Sequence, residues 1–300
     1  MPYTVGMTTI TPGDGAVPVA PRRPGLAGRT LLMSGGSRGI GLAIAKRAAA
    51  DGANIVLLAK TAEPHPRLAG TVFDAAEELE AAGGHALPIV GDVRLDDDVA
   101  RAVSAAVERF GGIDAVVNNA SAIDLSSTDS IDMKRYDLMQ DVNARGAFLL
   151  SKLAIPALRD TARKGRDAHI LTLSPPLSLE AKWAGAHLAY TMAKFGMSLV
   201  TLGLAEELRG DGIGVNSLWP CTLIDTAAIR NLPGGEEMAG VSRSPEIVAD
   251  AAHAILTSDP RETTGNFFTD EQALARVGVA DFSRYSLGAP EDRLARDIFL

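Results

Sequence analysis

The chain has a single cysteine, Cys221, among 300 residues. That excludes an internal disulfide and any cysteine-rich metal site. A lone thiol fits a reducing compartment, and a cytoplasmic location is expected. No apolar run reads as long enough to span a bilayer. No basic start followed by an apolar core opens the chain, so no secretory signal is expected. Residues 297–300, Asp-Ile-Phe-Leu, are not a Ser-Lys-Leu peroxisomal address. An excess of positive charge is missing too. The net charge of −8 argues against a general nucleic-acid binder. What is present, 46% hydrophobic and 22% charged residues, is the balance of a soluble globular protein.

Residues 1–27 hold Pro12, Pro18, Pro21 and Pro24 among glycine and threonine, and read as a flexible arm. From Thr30 onward short apolar runs alternate with helical patterns. Strands are expected at 30–34, 54–59, 86–91, 114–118, 168–173, 213–218 and 264–269. Helices are expected at 39–51, 71–82, 95–110, 133–161, 187–210 and 245–257. This alternation implies an α/β fold with one parallel sheet, helices on both faces and right-handed crossovers. No repeat or break in composition divides residues 28–300, so one domain is expected. Residues 222–244 contain Asn231, Pro233, Gly234, Gly235 and Gly240 with no strand pattern. They read as a lid over a substrate, though a plain surface loop has the same composition.

The first strand runs into Ser34-Gly35-Gly36-Ser37-Arg38-Gly39-Ile40-Gly41 and then an alanine-rich helix. Strand, glycine turn and helix together present free backbone N–H groups to a phosphate. Glycines permit the tight turn, close approach of a pyrophosphate and close packing of helix on sheet. A glycine cluster alone is a weak signal; its flanks strengthen it.

The second strand ends in Ala59-Lys60, with no carboxylate before Glu63. In dinucleotide folds an acid at this end accepts from a ribose 2′-hydroxyl, and a base instead favours a 2′-phosphate. Arg38 in the glycine turn and Lys60 therefore predict NADP(H) over NAD(H), against the plainer view of two solvated charges. After the third strand, Asp92-Val93 puts a carboxylate where an adenine amino group can donate to it. The fourth strand ends in Asn118-Asn119-Ala120, whose amides can pin backbone beneath a cofactor, as an ordinary Asn-rich turn also does. Asn143 falls inside an expected helix, where it is mildly unfavourable. A kink there would free a carbonyl to hold a water.

Tyr190 and Lys194 stand at i and i+4 of one helix and share a face. A phenol titrates near pH ~10 and is a poor acid–base group at neutrality. A neighbouring ammonium group favours the phenolate. A shift of about three units needs about 4 kcal/mol. Most Tyr-x-x-x-Lys pairs are plain amphipathic helix, but this one follows a strand ending in Ser174.

These pieces, with Val215-Asn216 and Pro220, resemble the short-chain dehydrogenase/reductase family over residues 28–270. The resemblance implies a Rossmann-type doubly wound sheet and an oxidoreductase acting on a small-molecule carbonyl or alcohol. It implies that Tyr190 exchanges a proton with the substrate oxygen and that Lys194 lowers the tyrosine pKa and holds the nicotinamide ribose. Asn143 would support a water relay. Gly35, Ser37, Arg38, Gly39, Ile40 and Gly41 would cradle the pyrophosphate. Asp92 and Val93 would meet the adenine, Asn118, Asn119 and Ala120 would lie by the ribose and turn, and Ile224 and Thr226 would approach the carboxamide. Family members pair the helices equivalent to 133–161 and 187–210 between subunits. The many apolar residues here, Phe148, Leu199 and Leu202 among them, imply a homodimer or homotetramer. A narrower resemblance within the family rests on residues 59–66, on Ser174-Pro175-Pro176-Leu177 and on Thr264-Gly265-Asn266-Phe267. Its bearers usually carry a C-terminal sterol-carrier domain, for which no room is expected here.

Three positions depart from the family pattern. Pro175 replaces the second serine of a Ser-Ser pair, so that Ser174 or Ser178 would polarise the substrate oxygen, with Ser174 favoured by its place at the strand end. Cys221 replaces glycine after Pro220, and Ser121 replaces glycine after Ala120. Leu177, Trp183, Trp219 and Ile229 line an apolar substrate pocket or simply pack. Two other readings stand beside the oxidoreductase. A non-catalytic dinucleotide-binding scaffold would have no chemical need for Tyr190, Lys194 and Asn143. An epimerase would need glycine at Arg38. Neither a membrane nor a nucleic acid is expected as a partner.

Overall fold

The computed structural model describes residues 25–64, 70–231 and 234–300. Most of the expected arm, His65 and Pro66 of the narrower resemblance, and Pro233 of the lid lie outside the described residues. Leu26, inside the stretch assigned to the arm, is buried in the core, and its N–H donates to Asp51 Oδ2 at 2.8 Å.

Seven strands form one parallel sheet: β1 (Thr30–Ser34), β2 (Asn54–Ala59), β3 (His85–Val90), β4 (Ala115–Asn118), β5 (Ala168–Thr172), β6 (Ile213–Trp219) and β7 (Phe267–Thr269). Their spatial order is β3-β2-β1-β4-β5-β6-β7. β1 pairs with β2 on one side (Thr30 opposite Asn54) and β4 on the other (Leu31 opposite Ala115). Connection order reverses between β1 and β4, and ligands of such sheets bind in the crevice opened at that point. Helices on both faces bury β1, β2, β4, β5 and β6, which is why these read as continuous apolar runs, while the edge strand β3 is only half-buried.

The pleat sends alternate residues to opposite cores. Leu31 and Met33 join Ile44 and Ala48 of α1 (Gly39–Ala49), Val72 and Leu79 of α2 (Val72–Ala81), and Ile247 and Ile255 further along. Leu32 joins Val99 of α3 (Asp96–Phe110) together with Leu150, Leu158 and Leu204 on the other face. Each such side chain contributes about 1.5–3 kcal/mol through burial.

The helix expected at 133–161 is three pieces: α4 (Met133–Met139), a π-helical turn (Gln140–Arg145) and α5 (Gly146–Arg163). Asn143 lies within this π-turn, so the helix is irregular where the awkward asparagine stands. α6 (Ala181–Ala186) precedes α7 (Leu188–Glu207). By length and composition α7 is long and apolar enough to cross a membrane, contrary to the expectation of no such run. Here it is a core helix, with ten residues buried against the sheet and its neighbours.

The stretch read as a lid is more regular than expected, with α8 (Ala227–Arg230) capped by Thr226 and α9 (Gly235–Gly240). α10 (Glu246–Leu256) and α11 (Asp270–Ala275) follow, α11 opened by a capping box between Thr269 and Gln272. β7 begins at Phe267 rather than 264. Backbone bonds to β6 already run through the preceding residues, Gly265 N–H to Val215 O at 2.7 Å and Ser217 N–H to Asn266 O at 2.8 Å, and the Asn216 side chain adds two more, Nδ2 donating to Thr263 O at 2.8 Å and Oδ1 accepting from Asn266 N–H at 3.1 Å.

Candidate active site

The turn after β1 lies at the topological switch point. Gly35 has φ +73°, and a Cβ there would sit 2.8 Å from Ala120 Cα. A Cβ on Gly41 would sit 2.4 Å from Asn119 Nδ2 and 2.6 Å from Gly35 O. The asparagine expected to pin this turn does so, since Asn119 Nδ2 donates to Gly35 O at 2.8 Å. Ser34 Oγ accepts from the Asn119 and Ala120 N–H groups. Asn118, one residue earlier, is buried and donates to Ser151 Oγ at 2.9 Å. α1 therefore starts on a rigid platform. Its N-terminus has no capping side chain and no acid in the first turn, which leaves its N–H groups to an anion. Ser37 is buried in the turn, and Ile40 packs on the core below.

Arg38 Nη2 donates to Gly70 O at 3.0 Å, while its buried Nη1 has no partner among the described residues. Lys60 follows β2 and is exposed. Within the chain, Asp92 has a partner that the sequence did not mark. Arg94 grips its carboxylate, Nε at 3.0 Å from both oxygens and Nη2 at 2.7 Å from Oδ2. That grip, helped by the charge on Lys60, holds the Asp92 pKa below its ordinary value. Val93 is turned into the core, leaving its backbone for any ligand.

Asn143 is fully buried and clamps Ala122 from both sides. Its Oδ1 accepts from Ala122 N–H at 2.7 Å, and its Nδ2 donates to Ala122 O at 3.0 Å. The π-turn aims this amide sideways at the loop after β4, a use for which π-turns recur at functional sites.

Tyr190 and Lys194 both lie in the first two turns of α7, and both are buried. Lys194 Nζ donates to Leu173 O at 2.9 Å and sits 5.0 Å from the Trp219 ring centre. Burial pulls its ammonium down to about 7, with the Asp297 carboxylate acting in the opposite sense. Tyr190 is shielded rather than acidified. Burial pushes its phenol well above the ordinary value, and Asp297 adds to the rise. The expected lowering by Lys194 is not realised in this arrangement, because Phe299 lies on the phenol and excludes solvent. The two rings are 6.1 Å apart at 25°.

Ser174 stands just past β5 but points its hydroxyl elsewhere. Its Oγ is 2.8 Å from Ser217 Oγ, which in turn donates to Thr201 Oγ1 at 2.8 Å. Ser178 is half-buried and accepts from Glu180 N–H. Ile224 is buried and bridged to Arg243. Thr226 caps α8 and faces the glycine turn, its Cγ2 3.4 Å from where a Cβ on Gly39 would stand. The residues around Thr226 thus lie against the glycine turn.

The family model for short chain dehydrogenase matches residues 29–236, more than two thirds of the chain. The chain belongs to the short-chain dehydrogenase/reductase family. It is 52% identical over 275 residues to hydroxysteroid dehydrogenase-like protein 2 of Xenopus tropicalis, covering 92% of this chain and 64% of that protein. The chain therefore spans less than two thirds of the length of the curated relatives it matches. A solved short chain dehydrogenase from Mycobacterium thermoresistibile is 53% identical, with 92% of this chain and 96% of that one covered and a TM-score of 0.85. An NADH-dependent reductase solved with NAD is 25% identical over 81% of this chain and 95% of its own, with a TM-score of 0.66. In this short-chain dehydrogenase/reductase the sequence pointed to Tyr190, Lys194 and Asn143 but not to three things around them. Arg94 carried no signal, being one of many arginines and part of no motif. Ser217 and Thr201 looked like strand and helix filler. Asp297 and Phe299 lie about a hundred residues from the tyrosine they cover, and no local pattern links them to it.

Proposed function

We propose that the chain is an NADP(H)-dependent oxidoreductase that moves a hydride between nicotinamide and the carbonyl or alcohol carbon of a hydrophobic small molecule. Family membership supports oxidoreductase chemistry with a nicotinamide dinucleotide. The observation that carries the reading is the pairing of Tyr190 and Lys194 on the face of α7 that also holds Leu173 O and Trp219. The residues fit the cofactor. Gly35 and Gly41 leave room where any Cβ would collide, the α1 N-terminus is uncapped, and Arg38 Nη1 lacks a partner. Arg38 and Lys60 would hold a 2′-phosphate, with no acid at the end of β2 to repel it and the nearby Asp92 carboxylate gripped by Arg94. Bound there, the cofactor supplies or accepts the hydride.

The remaining work falls to the chain itself. Tyr190 exchanges its hydroxyl proton with the substrate oxygen. Lys194, held by Leu173 O, regains charge beside a phosphate-bearing ligand and draws the phenol pKa back down. Asn143 fixes the loop at Ala122 that borders the site. Trp183, Trp219 and Phe195 supply apolar walls, which favour an uncharged ring or acyl ketone. The single thiol supports a cytoplasmic, reducing setting. Half-exposed Phe148 on α5 and Leu199 and Leu202 on α7 support pairing of these helices between copies as a homodimer or homotetramer.

Tyr190→Phe tests the reading: NADPH binding should persist while consumption of NADPH with a panel of ketones and acyl-thioesters is lost. Undiminished turnover would remove Tyr190 from the chemistry. A second reading, a dinucleotide-binding scaffold, is favoured by Pro175 where a serine is expected and by the shielded phenol. It requires that the unaltered chain bind NADPH and turn over none of the panel.

A further inference from the structure

Residues 295–300 run from the lid into the active site. Leu223 N–H donates to Ala295 O and Ala295 N–H to Val241 O, both at 2.9 Å. Asp297 N–H donates to Cys221 O at 3.1 Å, and Trp219 Nε1–H donates to Ile298 O at 2.8 Å. These bonds thread the segment between the end of β6 and the lid. Phe299 then enters an aromatic cage. Its ring lies 5.3 Å from Phe195, 6.0 Å from Trp183, 6.0 Å from Trp219 and 6.1 Å from Tyr190. Thr191 Oγ1 donates to Trp183 O at 2.8 Å and fixes the Trp183 wall.

Two independent observations mark this contact as more than core packing. Phe299 has φ +79°, the one non-glycine positive φ among the described residues. Such backbone strain collects at functional contacts. The segment also seats an acid, Asp297, against Lys194 and Tyr190, and enclosure pushes that carboxyl up to about 7. The room a substrate would need over Tyr190 is filled. A surface cavity lined by Arg166, Asp167, Gly212 and Arg261 lies at the amino ends of the strands and away from the tyrosine.

We propose that residues 297–300 form a displaceable strap seated in the substrate's own subsite, and that the cage of Trp183, Phe195 and Trp219 takes a flat, uncharged aromatic or alicyclic ketone when Phe299 leaves. This rests on the reading of Tyr190 as the residue facing the substrate. Phe299 mimics the ring of the ligand it excludes: a planar apolar group stacked against the phenol, with no charge of its own. The strap also couples site and lid. Arg243, which pairs with Leu223 and Asp225 backbone in the lid, holds Glu271 Oε1 at 2.5 Å and Glu291 just ahead of the strap. Its release would loosen the lid over the cradle at the same time.

The test uses the 300-residue chain, a deletion of residues 297–300, and Phe299→Ala, with benzophenone as the probe. Trp183 and Trp219 are the only tryptophans, so their emission reports on this cage alone. Both variants should bind benzophenone at least ten-fold more tightly than the intact chain, with emission moved to longer wavelength before the probe is added. The peptide Asp-Ile-Phe-Leu should compete with the probe for the deletion variant. Equal benzophenone affinity in all three proteins would overturn the proposal, and so would a deletion variant that fails to fold by circular dichroism. Binding is read without turnover. Tighter binding with no NADPH consumption would leave the strap standing and remove the oxidoreductase reading; turnover without tighter binding would do the reverse.

Discussion

Arg38→Ala separates the two nicotinamide cofactors most sharply. One guanidinium nitrogen, Nη2, is committed to Gly70 O, and the other, Nη1, is buried with no partner among the described residues. Burial already lowers the pKa of this group. A phosphate oxygen reaching Nη1 would restore a charged hydrogen bond, worth roughly 1.5–3 kcal/mol. Removing the side chain should therefore weaken NADPH by roughly 10- to 150-fold, since about 1.4 kcal/mol is one decade. NADH has no 2′-phosphate and should lose little. Lys60 is exposed, and a screened surface pair is worth about 0–1 kcal/mol, so Lys60→Ala should weaken NADPH by at most about five-fold. The assay is titration of each variant with both cofactors by nicotinamide fluorescence at two salt concentrations. The Lys60 effect should fade with salt and the Arg38 effect persist. Equal losses for NADPH and NADH in Arg38→Ala would refute the reasoning, as would an unaltered chain that prefers NADH.

Gly41→Ala should abolish binding of both cofactors and lower Tm by several degrees in a melting experiment, because its Cβ meets Asn119 and Gly35 O and overpacking costs roughly 1–3 kcal/mol. Asn143→Ala should destabilise by about 1–3 kcal/mol in urea unfolding, since the Ala122 N–H and C=O lose their partner, with Asn143→Asp failing to rescue because it cannot donate. Asp297 titrates from 3.8 in the unfolded chain to about 7 when folded, so the folded form holds the extra proton. Its stability contribution is complete below pH ~4 and is lost as pH rises through 7. Stability measured against Asp297→Asn should fall over that window. Lys194 goes from 10.5 to about 7, so the chain gains stability relative to Lys194→Met as pH rises from 7 toward 10. Leu199→Asp with Leu202→Asp should shift the species seen by light scattering toward monomer.

Much of the fold was legible because its signals are local. β1 and β2 fall at the expected residues, since apolar runs bounded by turns define buried parallel strands. α2 falls inside the helix expected at 71–82, and the structure adds that Thr71 and Asp74 form its capping box. The π-turn was foreshadowed only as an awkward Asn143. Its cause is a bond to Ala122, 21 residues earlier, and that appears in no helical period. β7 was placed three residues early: Gly265 and Asn266 are bonded to β6, but Gly265 takes a φ of +77°, so the extended run begins only at Phe267. The same division runs through the site. Tyr190 and Lys194 announce themselves by spacing on one helix. The state of the phenol depends on Phe299 and Asp297, brought over it by the path of the tail. The grip of Arg94 on Asp92 could not be told from any solvated ion pair.

The central claim is that Tyr190 hands a proton to the oxygen of a carbonyl reduced from nicotinamide. Its most direct test is a single-turnover reaction with NADPH deuterated at the transferring position, on a ketone that the unaltered chain reduces, compared with Tyr190→Phe. Deuterium should reach the alcohol carbon in the unaltered chain and fail to do so in Tyr190→Phe, which should bind NADPH with the same Kd. Transfer at an equal rate in both proteins would contradict the claim.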